Sequence, residues 1–265
     1  MLKKRIITAA ILIPIVLGAI LYLPAMGFVI GSALVLMLAC WEWSNLSGIK
    51  NFTGRLFYLG LLLALFFITS AIPPQWSQGI LLLASIGWLF IAPVFMVKFV
   101  KLSCFYKASI GLFIFVACWQ GLIAVHKYGP FYLLLLLLMV WAIDSAAYFI
   151  GKAWGKHKLA FKISPNKTLE GAIGGVLVSL IFCFFVTWIF PELLLLHHRY
   201  SVTGLLVLLT AIASIMGDLF ESMMKRLAGV KDSGQLVYGH GGVLDRIDSL
   251  IAAAPIFAFG LIFFS

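Results

Sequence analysis

Two apolar runs flank the most highly charged part of the chain: LLVLLTAIASIMG at residues 205–217 and SLIAAAPIFAFGLIFF at residues 249–264. Between them, residues 218–248 carry five acidic and four basic side chains. Apolar runs that approach about 20 residues are typical of helices that cross a lipid bilayer. The contrast predicts two membrane helices joined by a charged segment, and chemistry on an anionic, metal-bound substrate at a membrane face would explain that segment.

The composition places the chain among integral membrane proteins. Of its 265 residues, 63% are hydrophobic and only 11% are charged, with a mean hydropathy of +1.13. Soluble domains carry about 25% charged residues. Only helices and closed barrels satisfy their backbone groups in lipid, and barrel strands alternate polar with apolar residues, which these runs do not. We therefore predict an all-α fold, a polytopic transmembrane helical bundle.

The apolar segments predict about nine membrane spans. The first, residues 6–23, follows the basic residues Lys3, Lys4 and Arg5, and we expect an uncleaved helix rather than a signal peptide. The other eight are expected near residues 28–43, 57–72, 79–97, 108–125, 131–150, 172–190, 202–220 and 249–264.

The distribution of basic residues predicts the orientation. If the N-terminus is cytoplasmic, 17 of the 19 Lys and Arg residues lie on the cytoplasmic side, and only Lys127 and Arg199 lie outside. This bias follows the positive-inside rule and places the C-terminus outside. The net charge of +10 is then explained by topology and by attraction to anionic lipid, so nucleic-acid binding gains no support. We expect a multi-pass protein of the cell (inner) membrane with its active site at the cytoplasmic face.

The polar segments divide the chain into two parts. Residues 131–265 contain the two largest cytoplasmic loops, 151–171 and 218–248, and we expect them to form the catalytic region. Residues 1–130 have short, plain loops, and packing, lipid access and dimerisation into a homodimer all remain open as their role. Their one polar cluster, Trp41–Asn45, is interpreted as an interfacial aromatic belt with a polar edge.

Three aspartates near the two last spans predict a metal site. Asp218 closes an apolar run, and a carboxylate at the bilayer centre costs about 2.5–3.5 kcal/mol, so the position favours a partner. Asp245 and Asp248 are three residues apart at the head of the last span, where negative charge is favoured. Such a hard-oxygen set suits Mg²⁺. The alternative is that these acids pair with nearby bases or, for Asp248, that it only caps its helix.

Residues around these aspartates have the chemistry to bind phosphate. If the helix that contains Asp218 continues, Ser222 and Lys225 lie on the same face. The glycine-rich segment 239–242, which contains His240, Gly241 and Gly242, has an uncrowded backbone that can aim N–H groups at a phosphate. The alternatives are a simple glycine-rich turn and, for the bases Lys225, Arg226 and Lys231, ordinary anchoring at the cytoplasmic surface.

The first cytoplasmic loop adds further candidates. Asp144 lies near the end of an apolar span, where an acid again calls for a partner. Further on, Pro165 is expected to set a turn, and Ser164 and Lys167 can bind phosphate. The alternative is a solvated loop with a Ser-Pro turn.

The charged segment resembles the signature of a known family. Ser222-Met223-Met224-Lys225-Arg226, Lys231-Asp232-Ser233-Gly234, His240-Gly241-Gly242 and Asp245-Arg246-Ile247-Asp248 are similar, in order and spacing, to the signature of the phosphatidate cytidylyltransferases, or CDP-diacylglycerol synthases. Gly155–Leu159 and Ser164–Thr168 also resemble that family. The likeness in motifs covers residues 141–249, and residues 1–130 agree only in hydropathy. Tyr238 and Leu169 depart from the family pattern, which has proline and commonly an aromatic residue there.

The resemblance implies a reaction and a site. CTP and phosphatidate would give CDP-diacylglycerol and pyrophosphate by in-line attack of the lipid phosphate on the α-phosphorus of CTP. It implies Mg²⁺, with a monovalent ion such as K⁺ beside it, on Asp218, Asp245 and Asp248, which with Lys225 and Arg226 form the catalytic set. The implied substrate-binding residues are Asp144, Ser164, Lys167, Ser222, Lys231, His240, Gly241, Gly242 and Arg246.

Two other classes of function remain open on the residues alone. Another polytopic lipid or polyprenol phosphotransferase would need the same chemistry. A transporter would also place acids and bases at membrane depth, but along a path through the spans. Here the charged residues gather at one face, which favours an enzyme.

Overall fold

The computed structural model describes residues 2–190, 200–236 and 241–264. Its helices are α1 (Leu2–Tyr22), α2 (Ala25–Ser47), α3 (Phe52–Ala71), α4 (Pro74–Ile86), α5 (Ala92–Lys98), α6 (Cys104–Tyr128), α7 (Pro130–Trp154), α8 (Leu169–Ile189), α9 (Tyr200–Ala228) and α10 (Leu244–Phe264). A π-helical turn, Gly87–Ile91, joins α4 to α5, and two short strands, β1 (Lys158–Ala160) and β2 (Ser164–Thr168), lie between α7 and α8.

The helices confirm the all-α polytopic bundle. Within the described residues, eight helical segments are long and apolar enough to cross a membrane, and α4, the π-helical turn and α5 count as one of them, Pro74–Lys98. These eight correspond to the predicted spans from 28–43 onward. The predicted first span corresponds to α1, in which the apolar stretch Ala10–Tyr22 is shorter. A total of nine spans and the orientation remain predictions.

The first polar loop contains a β-hairpin that the sequence analysis did not predict. The strands pair antiparallel, with Lys158 opposite Thr168 and Ala160 opposite Ser164. Pro165, which we expected to set a turn, lies inside β2, and the turn is made by residues 161–163 instead. Proline is tolerated here because both strands of a two-stranded sheet are edge strands and leave backbone groups unpaired.

The second polar loop is largely helical. Helix α9 continues through Ala228, eight residues beyond the predicted span, so Asp218, Ser222 and Lys225 lie on one helix. Helix α10 begins at Leu244, which places Asp245 and Asp248 in its first two turns. The first result meets the condition under which Asp218, Ser222 and Lys225 were predicted to share a helix face, and the second agrees with the predicted position of Asp245 and Asp248 at the head of the last span.

Helix α10 forms the centre of the bundle and is buried on nearly all sides between Ile251 and Ala258. Glycines on its neighbours allow close approach: a Cβ added at Gly121 of α6 would lie 2.8 Å from the backbone carbon and oxygen of Ala254. A Cβ at Gly217 of α9 would collide with the carbonyl oxygen of Asp248. The second contact brings Asp218 and Asp248 next to each other.

A buried aromatic cluster lies beside the ends of α2 and α9. Phe220 stacks on Trp43 with ring centroids 6.2 Å apart, and Trp88 of the π-helical turn meets Phe220 edge-on at 5.5 Å. Phe115 contacts Trp43 edge-on at 6.2 Å. The Trp43 Nε1–H donates to the carbonyl oxygen of Lys107 at 3.0 Å, so its polar atom is satisfied.

The contact between α6 and α10 makes a stability prediction. Gly121→Ala should lower the thermal unfolding midpoint (Tm) in detergent, because overpacking against the Ala254 backbone costs about 1–3 kcal/mol and exceeds the helix-propensity gain of about 1 kcal/mol. Gly60→Ala is the matched control, because a Cβ there meets nothing within 4 Å. Equal Tm values for the two variants would contradict the close packing.

Candidate functional site

Acidic side chains from three helices, α7, α9 and α10, converge near the start of α10. Asp144 comes from α7, Asp218 and Glu221 from α9, and Asp248 from α10. Asp248 lies within electrostatic range of the other three. Like charges at this range repel each other, so the cluster needs nearby cations to be stable.

Lys167 supplies one of those cations. It lies on β2, and its Nζ forms an ion pair with Asp218 Oδ2. The Ser222 hydroxyl donates to the other oxygen of Asp218 at 3.4 Å. Both side chains of the ion pair remain partly accessible, at 26% for Lys167 and 30% for Asp218, so substrate groups can reach them. The hairpin therefore brings a predicted substrate-binding lysine onto a predicted metal ligand.

Lys225 supplies a second cation and joins α9 to α10. Its Nζ lies 2.5 Å from Glu221 Oε2 and 2.6 Å from Asp245 Oδ1. Glu221 is only 2% exposed, and within the described part of the chain neither of its oxygens accepts a hydrogen bond of good geometry. A buried carboxylate in this condition is costly unless cations neutralise it. In the structure Lys225 therefore forms ion pairs with two acids, Glu221 and Asp245, whereas its predicted partner was a substrate phosphate.

Asp245 is engaged on both oxygens. Its Oδ1 accepts from Lys225, and its Oδ2 accepts from the Ser233 amide at 3.0 Å, the Ser233 hydroxyl at 2.9 Å and the Gly242 amide at 2.8 Å. These contacts tie the segment between α9 and α10 to the start of α10. The structure gives Asp245 a bracing position, and its predicted role as a metal ligand stays a prediction.

Glu42, from α2, completes the start of α10. It is 3% exposed, and it accepts hydrogen bonds from the Val243 amide at 3.1 Å, the Leu244 amide at 2.8 Å and the Ser233 hydroxyl at 3.0 Å. The interpretation of Trp41–Asn45 as a surface belt is therefore wrong for Glu42, which faces the protein interior. The reason is that the first amides of a helix lack intrahelical partners and carry partial positive charge, which a carboxylate satisfies.

The described part of the glycine-rich segment has its own geometry. Gly241 has a φ of +86°, which favours glycine. The Gly242 amide donates a hydrogen bond to Asp245, and a Cβ at Gly242 would collide with the side chains of Glu42 and Ser233. The need for glycine at 242 thus follows from internal packing, while phosphate binding by 241–242 stays a prediction. His240 and Tyr238 lie outside the described residues.

Ser249 connects the acids of α7 and α10. Its hydroxyl donates to Asp144 Oδ1 at 3.3 Å, and its amide donates to Asp248 Oδ1 at 2.8 Å. Asp144 is exposed. The predicted substrate-binding residue Asp144 is therefore joined to the aspartate cluster and remains open to a ligand.

The remaining predicted residues lie around this cluster. Arg226 is exposed, and its Nε donates to the carbonyl oxygen of Ile163 at 3.2 Å, which ties α9 to the hairpin turn. Arg246 is exposed on α10 and lies within electrostatic range of Asp144. Lys231 is exposed, and Ser164 is half-buried on β2.

The carboxylate oxygens of this site are of the chemical type that binds a hard cation such as Mg²⁺. The structure brings six carboxylates together here: Glu42, Asp144, Asp218, Glu221, Asp245 and Asp248. Lys167, Lys225 and Arg246 pair with or lie near four of them, Asp218, Glu221, Asp245 and Asp144, so the carboxylates outnumber these cations. Glu221 Oε1, which is buried and accepts no hydrogen bond from the described residues, also favours a cation. Among the described side chains, no group of three or more acids, histidines or cysteines has metal-ligand geometry. The Mg²⁺ site therefore remains a prediction.

Sequence reasoning missed four residues of this arrangement: Glu42, Glu221, Ser233 and Ser249. A signal existed for Glu42, because it is the only acid among the first 143 residues and lies within the apolar helix α2. The rule that an acid in a membrane segment marks a functional site applies to it as it does to Asp144. Ser233 stands within the quoted family signature, although no role followed from it, and no local pattern distinguishes Ser249 from surface serines.

Comparisons with known proteins agree with the resemblance and extend it. A family model described as the cytidylyltransferase family matches residues 3–264. A phosphatidate cytidylyltransferase of Pseudomonas aeruginosa is 39% identical over 273 residues, covering 97% of this chain and 96% of the relative. One from Haemophilus influenzae is 38% identical over 285 residues, covering 98% of each, and one from Thermotoga maritima is 35% identical, covering 96% and 94%. The similarity includes residues 1–130, where only hydropathy had agreed, and the chain belongs to the cytidylyltransferase family.

Proposed function

We propose that the chain transfers a cytidylyl group from CTP to phosphatidate, giving CDP-diacylglycerol and pyrophosphate for phospholipid synthesis. The names of the full-length relatives support this reaction. The observation that carries it is the cluster of Asp144, Asp218, Glu221 and Asp248 with Lys167 and Lys225 around it. Two polyanionic substrates meet only where positive charge neutralises them, and the lysines and carboxylates of this cluster are suited to supply it directly and through a bound metal ion.

We further propose that the site faces the cytoplasm at the inner membrane. The 17-to-2 distribution of basic residues supports this orientation. CTP is dissolved in water and phosphatidate is anchored by its acyl chains, so the reaction requires the membrane interface. The hairpin and the start of α10 carry the site at the ends of apolar helices, as such a reaction needs.

Within this proposal, Asp218 and Asp248 hold Mg²⁺, with Asp144 beside them. When bound, Mg²⁺ supplies positive charge to the phosphate oxygens and offsets the charge that develops in the transition state. Asp245 remains the predicted third ligand, and Lys225 is the partner of its Oδ1 in the structure. The excess of carboxylates also favours the monovalent ion, such as K⁺, that the family resemblance implies.

The cationic side chains orient the two substrates. Lys167 beside Asp218 and the exposed Arg226, Lys231 and Arg246 bind phosphate groups of CTP and phosphatidate. The attacking phosphomonoester has a second pKa of about 6 and is mostly dianionic at pH 7, so it needs no strong general base. His240 then serves as a hydrogen-bond donor to phosphate, and Ser164 and Ser222 line the pocket.

The first test identifies the reaction. Purified protein in mixed micelles, incubated with Mg²⁺ and labelled CTP, should convert the label into a chloroform-soluble CDP-lipid when phosphatidate is present. A polyprenol or a polyprenyl phosphate in its place should give no labelled lipid. Label transfer to the polyprenol alone would overturn the proposal in favour of another phosphotransferase.

The second test addresses the metal ligands. Asp218→Asn and Asp248→Asn should each lower the rate of CDP-lipid formation by at least about 100-fold, because outer-shell changes alone cost about 10–100-fold and these residues are proposed as direct ligands. Glu192→Gln is the matched control, since it makes the same acid-to-amide change in the segment between α8 and α9. Full Mg²⁺-dependent turnover by either aspartate variant would exclude that residue as a ligand.

The third test addresses orientation. In a background without the four native cysteines, Lys162→Cys and Lys127→Cys each place a thiol at an exposed position, in the hairpin turn and at the end of α6. A membrane-impermeant maleimide should label the Lys127→Cys variant in intact spheroplasts and the Lys162→Cys variant only after lysis. The reverse pattern would place the site outside and contradict the proposed use of CTP.

A further inference from the structure

Glu42 joins the first part of the chain to the candidate site over a long distance in sequence. Its hydrogen-bond partners lie 191 to 202 residues away, at Ser233, Val243 and Leu244. All three donors are neutral groups, and two are backbone amides at the start of α10, those of its first residue, Leu244, and of Val243 just before it. Burial of a carboxylate is costly unless its oxygens are satisfied, and here each oxygen has at least one donor.

The chain provides a shaped space for this side chain. A Cβ added to Gly234 or to Gly242 would collide with the Glu42 carboxylate. Both glycines flank the carboxylate from the segment that joins α9 to α10. Any larger residue at either position would displace Glu42 or the start of α10, so the two glycines and the glutamate fit as one unit.

Ser233 continues the connection toward the acid cluster. Its hydroxyl oxygen lies 3.0 Å from Glu42 Oε2 and 2.9 Å from Asp245 Oδ2. A single hydroxyl hydrogen is thus shared between two carboxylates. Asp245 in turn accepts from Lys225 at 2.6 Å. A continuous series of polar contacts, which we name the α2 brace, therefore runs Glu42–Ser233–Asp245–Lys225.

We propose that Glu42 is a positioning residue for cytidylyl transfer, acting through the α2 brace to fix the start of α10 and the orientation of Asp245 and Lys225. This inference rests on the proposed function, and Glu42 itself is too deeply buried to touch substrate. An apolar residue at this position would leave the amides of Val243 and Leu244 without this acceptor, so the carboxylate fixes where α10 begins. The observed carboxylate therefore points to a requirement for orientation.

The activity test separates positioning from stability. Glu42→Gln keeps the side-chain volume but presents an N–H₂ group to donors, so it should lower kcat by about 10- to 100-fold with KM for CTP little changed, as for other residues that orient a first shell. Gly121→Ala is the comparison variant, because it lowers Tm at a contact away from the site while kcat at a permissive temperature should be retained. Glu42→Gln with lowered Tm and full kcat would show that Glu42 is only structural.

Two further measurements keep the inference falsifiable. Ser233→Ala should reproduce the loss of kcat, and the double variant Glu42→Gln/Ser233→Ala should lose little more than either single one, since both break the same series of contacts. If the fold-losses of kcat in the two single variants multiply in the double variant, the α2 brace does not act as one series of contacts. If Glu42→Gln fails to fold, Ser233→Ala alone decides, and full kcat would refute the inference.

A readout without turnover distinguishes this inference from the reaction itself. Hydrogen exchange at the Val243 and Leu244 amides should accelerate in Glu42→Gln and stay slow in Gly121→Ala, whether or not CTP is the substrate. Unchanged exchange in Glu42→Gln would refute the bracing contact. A wild-type protein that forms no CDP-lipid, yet shows this difference in exchange, would refute the proposed function while leaving the bracing contact in place.

Discussion

Negative charge concentrated at the edge of a low-dielectric bundle is the constraint on which this structure depends. Six carboxylates from α2, α7, α9 and α10 are gathered here, and the buried ones among them must be satisfied where water is scarce. The chain meets this need with lysines from two different elements, with serine hydroxyls and with the free amides at the start of α10. The hairpin and the extension of α9 are the elements that deliver these groups.

Much of this arrangement is predictable from sequence, because membrane helices depend on local composition. Apolar runs of about 20 residues in lipid have few alternatives to a helix, so the membrane-spanning helices can be predicted from the amino-acid sequence. The faces that carry Asp218, Ser222 and Lys225, and Asp245 with Asp248, follow from helical spacing once the helices continue that far. The family of the chain follows from the order and spacing of charged residues over 222–248.

The remainder depends on contacts between distant residues, which periodicity does not encode. Glu42 meets its partners some two hundred residues later, and nothing in Trp41–Asn45 separates a buried acid from an interfacial one. The hairpin was missed because its strands are only three and five residues long, too short for an alternating pattern. The pairing of Lys225 with two acids, rather than with solvent, likewise arises only when α9 and α10 pack. Loop polarity divides the chain into residues 1–130 and 131–265, but the contacts of Glu42 connect these two parts in the structure.

The buried aromatic cluster has a consequence for the passage of ions through the helical bundle. Trp43 is adjacent in sequence to Glu42, and Phe220 is adjacent to Glu221. The stacked rings of Trp43 and Phe220 therefore come from residues next to two of the buried carboxylates. The described rings of Trp43, Phe115, Phe220 and Trp88 pack against one another, so a hydrated cation that moved inward from these acids would meet apolar faces. Shedding its water there would be far less favourable than returning to the solution it came from. Packing of this kind opposes the leakage of ions and protons through the bundle next to its charged residues.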